Sequence, residues 1–199
     1  MNLPNKLTIS RIILIPFVLI FMLPISFLGD QSPYNIFIRD YGMIFAVVLF
    51  GFASITDTMD GQIARKRGIV TTMGKFLDPI ADKLLVTSVL IALVELGKIS
   101  AWVAIIVISR EFIVTGIRLL AADKNVVISA SKIGKVKTVV QIIAIVIIML
   151  SAQVELFFTG WTGLPYVKIT ASVILFLAVV LTLVSGYDYL KKNLHFIKE

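Results

Sequence analysis

The chain has 199 residues, 58% of them hydrophobic and only 16% charged, and its mean hydropathy is +0.99. Soluble domains carry about 25% charged residues, so the composition excludes an ordinary soluble globule and points to an all-α integral membrane protein. The absence of cysteine excludes disulfides and thiolate metal sites, and a net charge of +7 suits cytoplasmic anchoring on anionic lipid headgroups better than nucleic acid.

The first predicted element is a short N-terminal amphipathic juxtamembrane helix over NLPNKLTISR. Leu3 and Leu7 lie four apart and would dip into the bilayer, while Asn5, Thr8 and Arg11 fall three apart along a polar side. Ile9 fits neither side. The segment reads either as an interfacial anchor or as a polar strip that lines a site. Six apolar segments of spanning length follow, at about 12–28, 34–54, 76–96, 101–121, 136–154 and 166–187. Lys6 and Arg11 ahead of the first run imitate a signal peptide. The run is long, however, and no A-x-A-like site follows, so it is read as a retained span. Short loops make sequential helices antiparallel within one domain, 1–199. With both termini cytoplasmic, all of the 19 Lys and Arg residues except Arg39, Lys98 and Lys168 fall on the inner side or in the inner and middle parts of their helices.

The facing ends of the second and third spans carry SITDTMDGQIARKRGIVTTMGKFLDPIADKLL, residues 54–85, with four aspartates. If the second helix continues into the cytoplasm, Asp57, Asp60, Gly61 and Ala64 share one face. Gly74, Asp78 and Asp82 share a face of the third. A short turn near Lys66 to Thr72 lets the two faces meet. Carboxylates gathered beside a bilayer repel one another unless they are paired or metal-bound. The plain alternative is solvated helix-end charge paired with Arg65, Lys66 or Lys75. No histidine or cysteine is near, so a metal would meet oxygen only, which suits magnesium, manganese or calcium. Four acids exceed the need of one magnesium and match two ions in phosphoryl chemistry. The small residues on the same faces serve helix packing or leave room for a bulky phosphate ligand.

Further along, Arg110, Val114 and Arg118 share a face of the fourth span. Two arginines on an intramembrane helix point to function, with pairing to Glu111 or snorkelling to lipid phosphate as the alternative. Lys132, Lys135 and Lys137 cluster at the start of the fifth span, where a helix N-terminus with lysines favours phosphate. Lys132 is read as an anchor. Together Arg110, Arg118, Lys135 and Lys137 are candidates to hold a small phosphorylated alcohol.

The pattern Asp57-x2-Asp60-Gly61-x2-Ala64-Arg65-x8-Gly74-x3-Asp78-x3-Asp82 resembles the CDP-alcohol phosphotransferase motif at each of its eight positions. PNKLTISR (4–11), SREFIVTGIR (109–118) and IGKVKT (133–138) resemble its bacterial phosphatidylglycerophosphate synthase branch. The resemblance implies transfer of the phosphatidyl group of CDP-diacylglycerol to glycerol 3-phosphate with release of CMP, two divalent cations (Mg2+ or Mn2+), and a homodimer in the bacterial inner membrane. It implies that Asp57, Asp60 and Asp78 hold the metals and that Asp82 is a metal ligand, the general base, or both. Gly61, Ala64, Arg65 and Gly74 would border the CDP group, with Asn5, Thr8 and Arg11 as weaker contacts. Within this class the acceptor could instead be inositol phosphate or serine, and serine would leave the basic pocket without a partner. A cation transporter would centre its acids near the midplane or spread them through the membrane depth, whereas these cluster at one cytoplasmic end. A lipid-binding protein with a degenerate site conflicts with the intact aspartate quartet.

Overall fold

The structure is a computed structural model. It describes the backbone of residues 3–67, 72–124, 126, 128 and 132–193, and their side chains except those of 3–8, 57–67, 72–79, 82, 123 and 132. Among the described residues the chain is helical throughout, without a strand. A lipid-embedded backbone must satisfy its own N–H and C=O groups, and helices do this within one segment. The elements are α1 (Leu3–Met22), a 3-10 turn (Ser26–Leu28), α2 (Pro33–Phe37), a π-helical turn (Ile38–Gly42), α3 (Met43–Arg67), α4 (Thr72–Glu95), α5 (Ala101–Asp123), α6 (Lys132–Phe157) and α7 (Leu164–Asn193). Three stretches are long and apolar enough to cross a membrane, Pro33–Thr56, Ile133–Phe157 and Leu164–Asn193, and Ile9–Met22 is a shorter apolar helix. Helix α5, with 23 residues, also has spanning length but carries Arg110, Glu111 and Arg118 within it.

Two expectations are corrected at the N-terminus. The juxtamembrane segment is not a separate helix, because α1 runs unbroken from Leu3 to Met22. No helix breaker separates Leu7 from Ile12, so the propagating helix absorbs the polar strip. The first apolar run is also shorter as a helix than its composition suggests. Pro24 disfavours helical backbone in the residue before it, the last helical bond joins Leu23 N–H to the Leu19 carbonyl (2.8 Å), and 26–28 form a 3-10 turn. Ser32 then caps α2 by accepting from Asn35 N–H (3.1 Å), with Pro33 in the first turn. Buried Asn35 ties down the preceding loop. Its amide donates to the carbonyls of Ile25 (2.9 Å) and Gly29 (2.8 Å), and its Oδ1 accepts from Ile25 N–H (2.8 Å).

Helix α1 lies against both α3 and α4. Then α3 packs on α6, α6 on α7, α7 on α5 and α5 on α4, which closes a ring of six helices with α4 and α6 touching across it. Val18, Phe50, Leu90, Leu93, Ile145 and Met149 fill the interior. Buried alanines (Ala46, Ala53, Ala92 and Ala144) let the backbones approach, as small residues do in membrane bundles. Phe52, Phe112 and Phe176 point outward, Phe176 with 65% exposure. An apolar exterior of this kind suits acyl chains rather than water. The π-turn fixes the junction of α1, α3 and α6. Its Asp40 carbonyl accepts from Gln153 Nε2 on α6 (2.7 Å), and Gly42 lies hard against the α1 backbone, where a Cβ would stand 2.3 Å from the Phe21 carbonyl oxygen.

Rotamer choice cannot relieve that contact, because both partners are main chain. Gly42→Ala is expected to destabilise the bundle by at least about 1–3 kcal/mol, read as a lowered thermal midpoint of the detergent-solubilised protein. Gly51→Ala, where an added methyl meets nothing within 4 Å, leaves the midpoint in place.

Candidate active site

The helix boundaries decide where the aspartates fall. Helix α3 continues beyond its apolar stretch to Arg67, and α4 starts at Thr72. Asp57, Asp60, Gly61, Ala64 and Arg65 therefore lie on the last turns of α3, and Gly74, Asp78 and Asp82 on the first turns of α4, all in helical backbone. The i, i+3 and i, i+4 spacings thus hold in true helical register. The side chains of these eight residues, and those of Asn5 and Thr8, lie outside the described residues. Aspartates on regular helix would offer carboxylate oxygen only, which suits a hard divalent cation. Among the described side chains no group of three or more His, Asp or Glu gathers.

The predicted acceptor residues Arg110, Arg118, Lys135 and Lys137 are all described. Glu111 on α5 joins the two central ones. Its Oε1 accepts from Lys137 Nζ on α6 and lies 3.3 Å from Arg110 Nη1. Lys137 is 1% exposed, Arg110 12% and Glu111 24% by side chain, so all three charges sit within the bundle. Such charges require pairing. Arg110 also reaches α7, where its Nη2 donates to Ser185 Oγ (3.1 Å). Its stem crosses α7 at Gly186, where a Cβ would come within 3.1 Å of Arg110 Cγ. The Arg110 Nε is buried and has no hydrogen-bond partner among the described residues. Lys83 on α4 donates to Thr115 Oγ1, and that hydroxyl donates to the Glu111 carbonyl (2.7 Å). Lys83, Glu111, Thr138 and Gln141 border a cavity of about 40 Å³.

Arg118 lies two turns beyond Arg110. Its Nε donates to Tyr189 Oη (3.2 Å), and its guanidinium sits 5.6 Å from the centre of that ring. Lys135 is exposed and is not drawn into this network. Arg11 is buried on α1. The structure thus gathers Arg110 and Lys137 on one carboxylate, seats Arg118 on α7 one step further along α5, and leaves Lys135 at the surface.

Sequence reasoning treated Glu111 only as an alternative partner for Arg110, counted Lys83 only for orientation, and passed over Ser185 and Tyr189. A signal was present in α7, where Thr182, Ser185, Tyr189 and Asn193 recur at helical spacing along one face, and all four are buried. A larger cavity, about 480 Å³, opens at the opposite end between Met22, Arg39, Lys98 and Gln153. It is the less suitable site. Its charged residues are matched locally, Arg39 by Asp40 (3.1 Å) and Lys98 by Glu155 (3.6 Å), and it is a bundle length away from the aspartate turns.

Apolar helices of spanning length, with the aspartate-bearing turns at one end, suit a membrane protein. The family model described as CDP-alcohol phosphatidyltransferase matches residues 1–184, and the chain belongs to that family. It is 42% identical over 205 residues to the CDP-diacylglycerol–glycerol-3-phosphate 3-phosphatidyltransferase of Bacillus subtilis (strain 168), covering 99% of this chain and 97% of that one. It is 39% identical over 190 residues to the protein of that name from Rickettsia felis, covering 96% and 94%. With the one from Haemophilus influenzae it shares 36% over 196 residues, covering 96% and 92%.

The Glu111–Lys137 pair is open to a double-mutant cycle. Lys137→Met and Glu111→Gln each leave a buried charge short of its partner and lower the thermal midpoint in detergent. The double variant recovers part of that loss, with a coupling energy in the range of about 0.5–3 kcal/mol. Additive losses would show that the pair contributes no coupling.

Proposed function

We infer that this chain transfers the phosphatidyl group of CDP-diacylglycerol to glycerol 3-phosphate and releases CMP. The observation that carries the acceptor assignment is the Arg110–Glu111–Lys137 cluster, in which two cations from different helices converge on one carboxylate within the bundle. A phosphorylated acceptor uses such a pair, and serine does not. The near full-length match to relatives named for this reaction supports the same reading.

In this reading the six long helices all span, both termini face the cytoplasm, and the aspartate turns lie at the cytoplasmic boundary of a bacterial inner membrane. That orientation follows from the basic residues. Asp57, Asp60, Asp78 and Asp82 would hold two divalent cations, Mg2+ or Mn2+, which supply charge neutralisation for the diphosphate and the departing CMP. Gly61, Ala64 and Gly74 keep the helix faces low beside the nucleotide, and Arg65 with Asn5, Thr8 and Arg11 borders it. Arg110, Arg118 and Lys137, with Lys135 at the entrance, bind the acceptor phosphate. Asp82 accepts the proton of the acceptor hydroxyl as its oxygen bonds to the lipid-side phosphorus and the phosphoanhydride bond to CMP breaks.

Purified protein in mixed micelles with CDP-diacylglycerol and magnesium is expected to release CMP with glycerol 3-phosphate, and not with serine or inositol phosphate. EDTA should abolish the release. Asp82→Asn should lower kcat at least about 100-fold, and full activity in that variant would remove the general-base role. Release with a different acceptor would keep the reaction class and overturn the acceptor assignment.

A further inference from the structure

We propose that Glu111 is a positioning residue for the acceptor phosphate: it sets Lys137 and Arg110 in place without touching the acceptor itself. This rests on the phosphatidyl-transfer reading above. Lys and Arg side chains have many rotamers, and a pair of them holds a phosphate well only if fixed beforehand. Glu111 supplies the fixing. One carboxylate oxygen accepts from Lys137 Nζ on α6 and lies 3.3 Å from Arg110 Nη1 on α5. The far side of the guanidinium is fastened to α7 through Ser185 Oγ (3.1 Å). The Glu111 turn is itself anchored, since its carbonyl accepts from Thr115 Oγ1, which Lys83 of α4 holds. Glu111 is thus linked to α6 directly, to α7 through Arg110 and to α4 through its own carbonyl and Thr115.

The charges suit the same assignment. A lone carboxylate beside a phosphate site would repel the ligand. Here the Glu111 carboxylate faces Lys137 and Arg110 directly, so its charge is matched within the cluster. Charge-assisted hydrogen bonds from such cations suit a phosphate monoester, and Arg110 Nε, which is buried and has no hydrogen-bond partner among the described residues, is a further donor on the same guanidinium.

Steady-state CMP release by the full-length protein, with each substrate varied in turn, tests this. Glu111→Gln is expected to raise the KM for glycerol 3-phosphate tenfold or more, and to leave the KM for CDP-diacylglycerol within twofold. Glu111→Asp keeps the charge on a shorter arm and should give an intermediate KM. An acceptor KM within twofold of wild type in Glu111→Gln, or a fall in kcat with both KM values unmoved, overturns the proposal and leaves Glu111 a structural residue. If Glu111→Gln is not recovered as folded protein, Glu111→Asp decides: a raised acceptor KM supports the role and an unchanged one overturns it. The wild-type control separates the two levels. Turnover of glycerol 3-phosphate with an unmoved KM in the variants sinks only the positioning role. Failure of the wild type to use any phosphorylated acceptor sinks the functional reading and the positioning role together.

Discussion

A charge held within an apolar helix bundle must be matched where it stands, and in this protein that requirement is concentrated on α5. Glu111 takes Lys137 from α6, Arg110 takes Ser185 and Arg118 takes Tyr189 from α7, and Thr115 takes Lys83 from α4. Helices α5 and α6 are not adjacent in the ring; α7 stands between them. The Glu111–Lys137 pair links these two helices directly. In a low-dielectric setting a paired charge resists separation far more than in water, so these contacts fix how far apart the helices can stand at this end.

The opposite half is held by different means. Val18, Phe50, Leu90, Leu93, Ile145 and Met149 interlock the helices by shape. The outer loops are closed by amides acting on main-chain groups, Asn35 on the 25–29 loop and Gln153 on the π-turn. Glu155 links the neighbouring turns through Lys168 (2.8 Å) and Lys98 (3.6 Å). Those ion pairs are largely exposed, and exposed pairs contribute little to stability. Packing thus carries the stability of one half, while the other half places charge where chemistry needs it. The division is common in enzymes, because a site built of mutually repelling groups is itself a local liability.

The long helices and the helical register of the aspartate segments were legible in the sequence because they depend on local period alone. Residues 57–64 and 74–82 sit in helical backbone as their spacing dictates, with α3 ending at Arg67 and α4 starting at Thr72. The first span was read too long because hydropathy does not register Pro24, whose effect is on backbone angles. The role of Glu111 was not legible for another reason. It meets Lys137, 26 residues away, only because α4 and α7 are ordered as they are in the ring, and helix order is not written in any local pattern. Ser185 and Tyr189 were hidden by the strong apolar average of α7, although their spacing with Thr182 and Asn193 marks a polar face.

The two substrates in the proposed reaction are both anions, a lipid-linked diphosphate and a phosphorylated alcohol, and they must approach each other closely for the hydroxyl to reach phosphorus. Anions brought together in a poorly screened site repel one another unless each has its own countercharge. A single shared basic pocket would do this badly, since the tighter-binding anion would occupy it. The chain instead carries two kinds of device on separate helices. In that reaction the carboxylate turns of α3 and α4 would attract cations that in turn attract the diphosphate, and the side chains of α5 and α6 would attract the acceptor directly. Glu111 belongs to the second device although its charge has the sign of the first. Because it faces Lys137 and Arg110, its negative charge is matched locally. The orientation of each substrate is then set before they meet, which is where much of the advantage of an enclosed site over free solution arises.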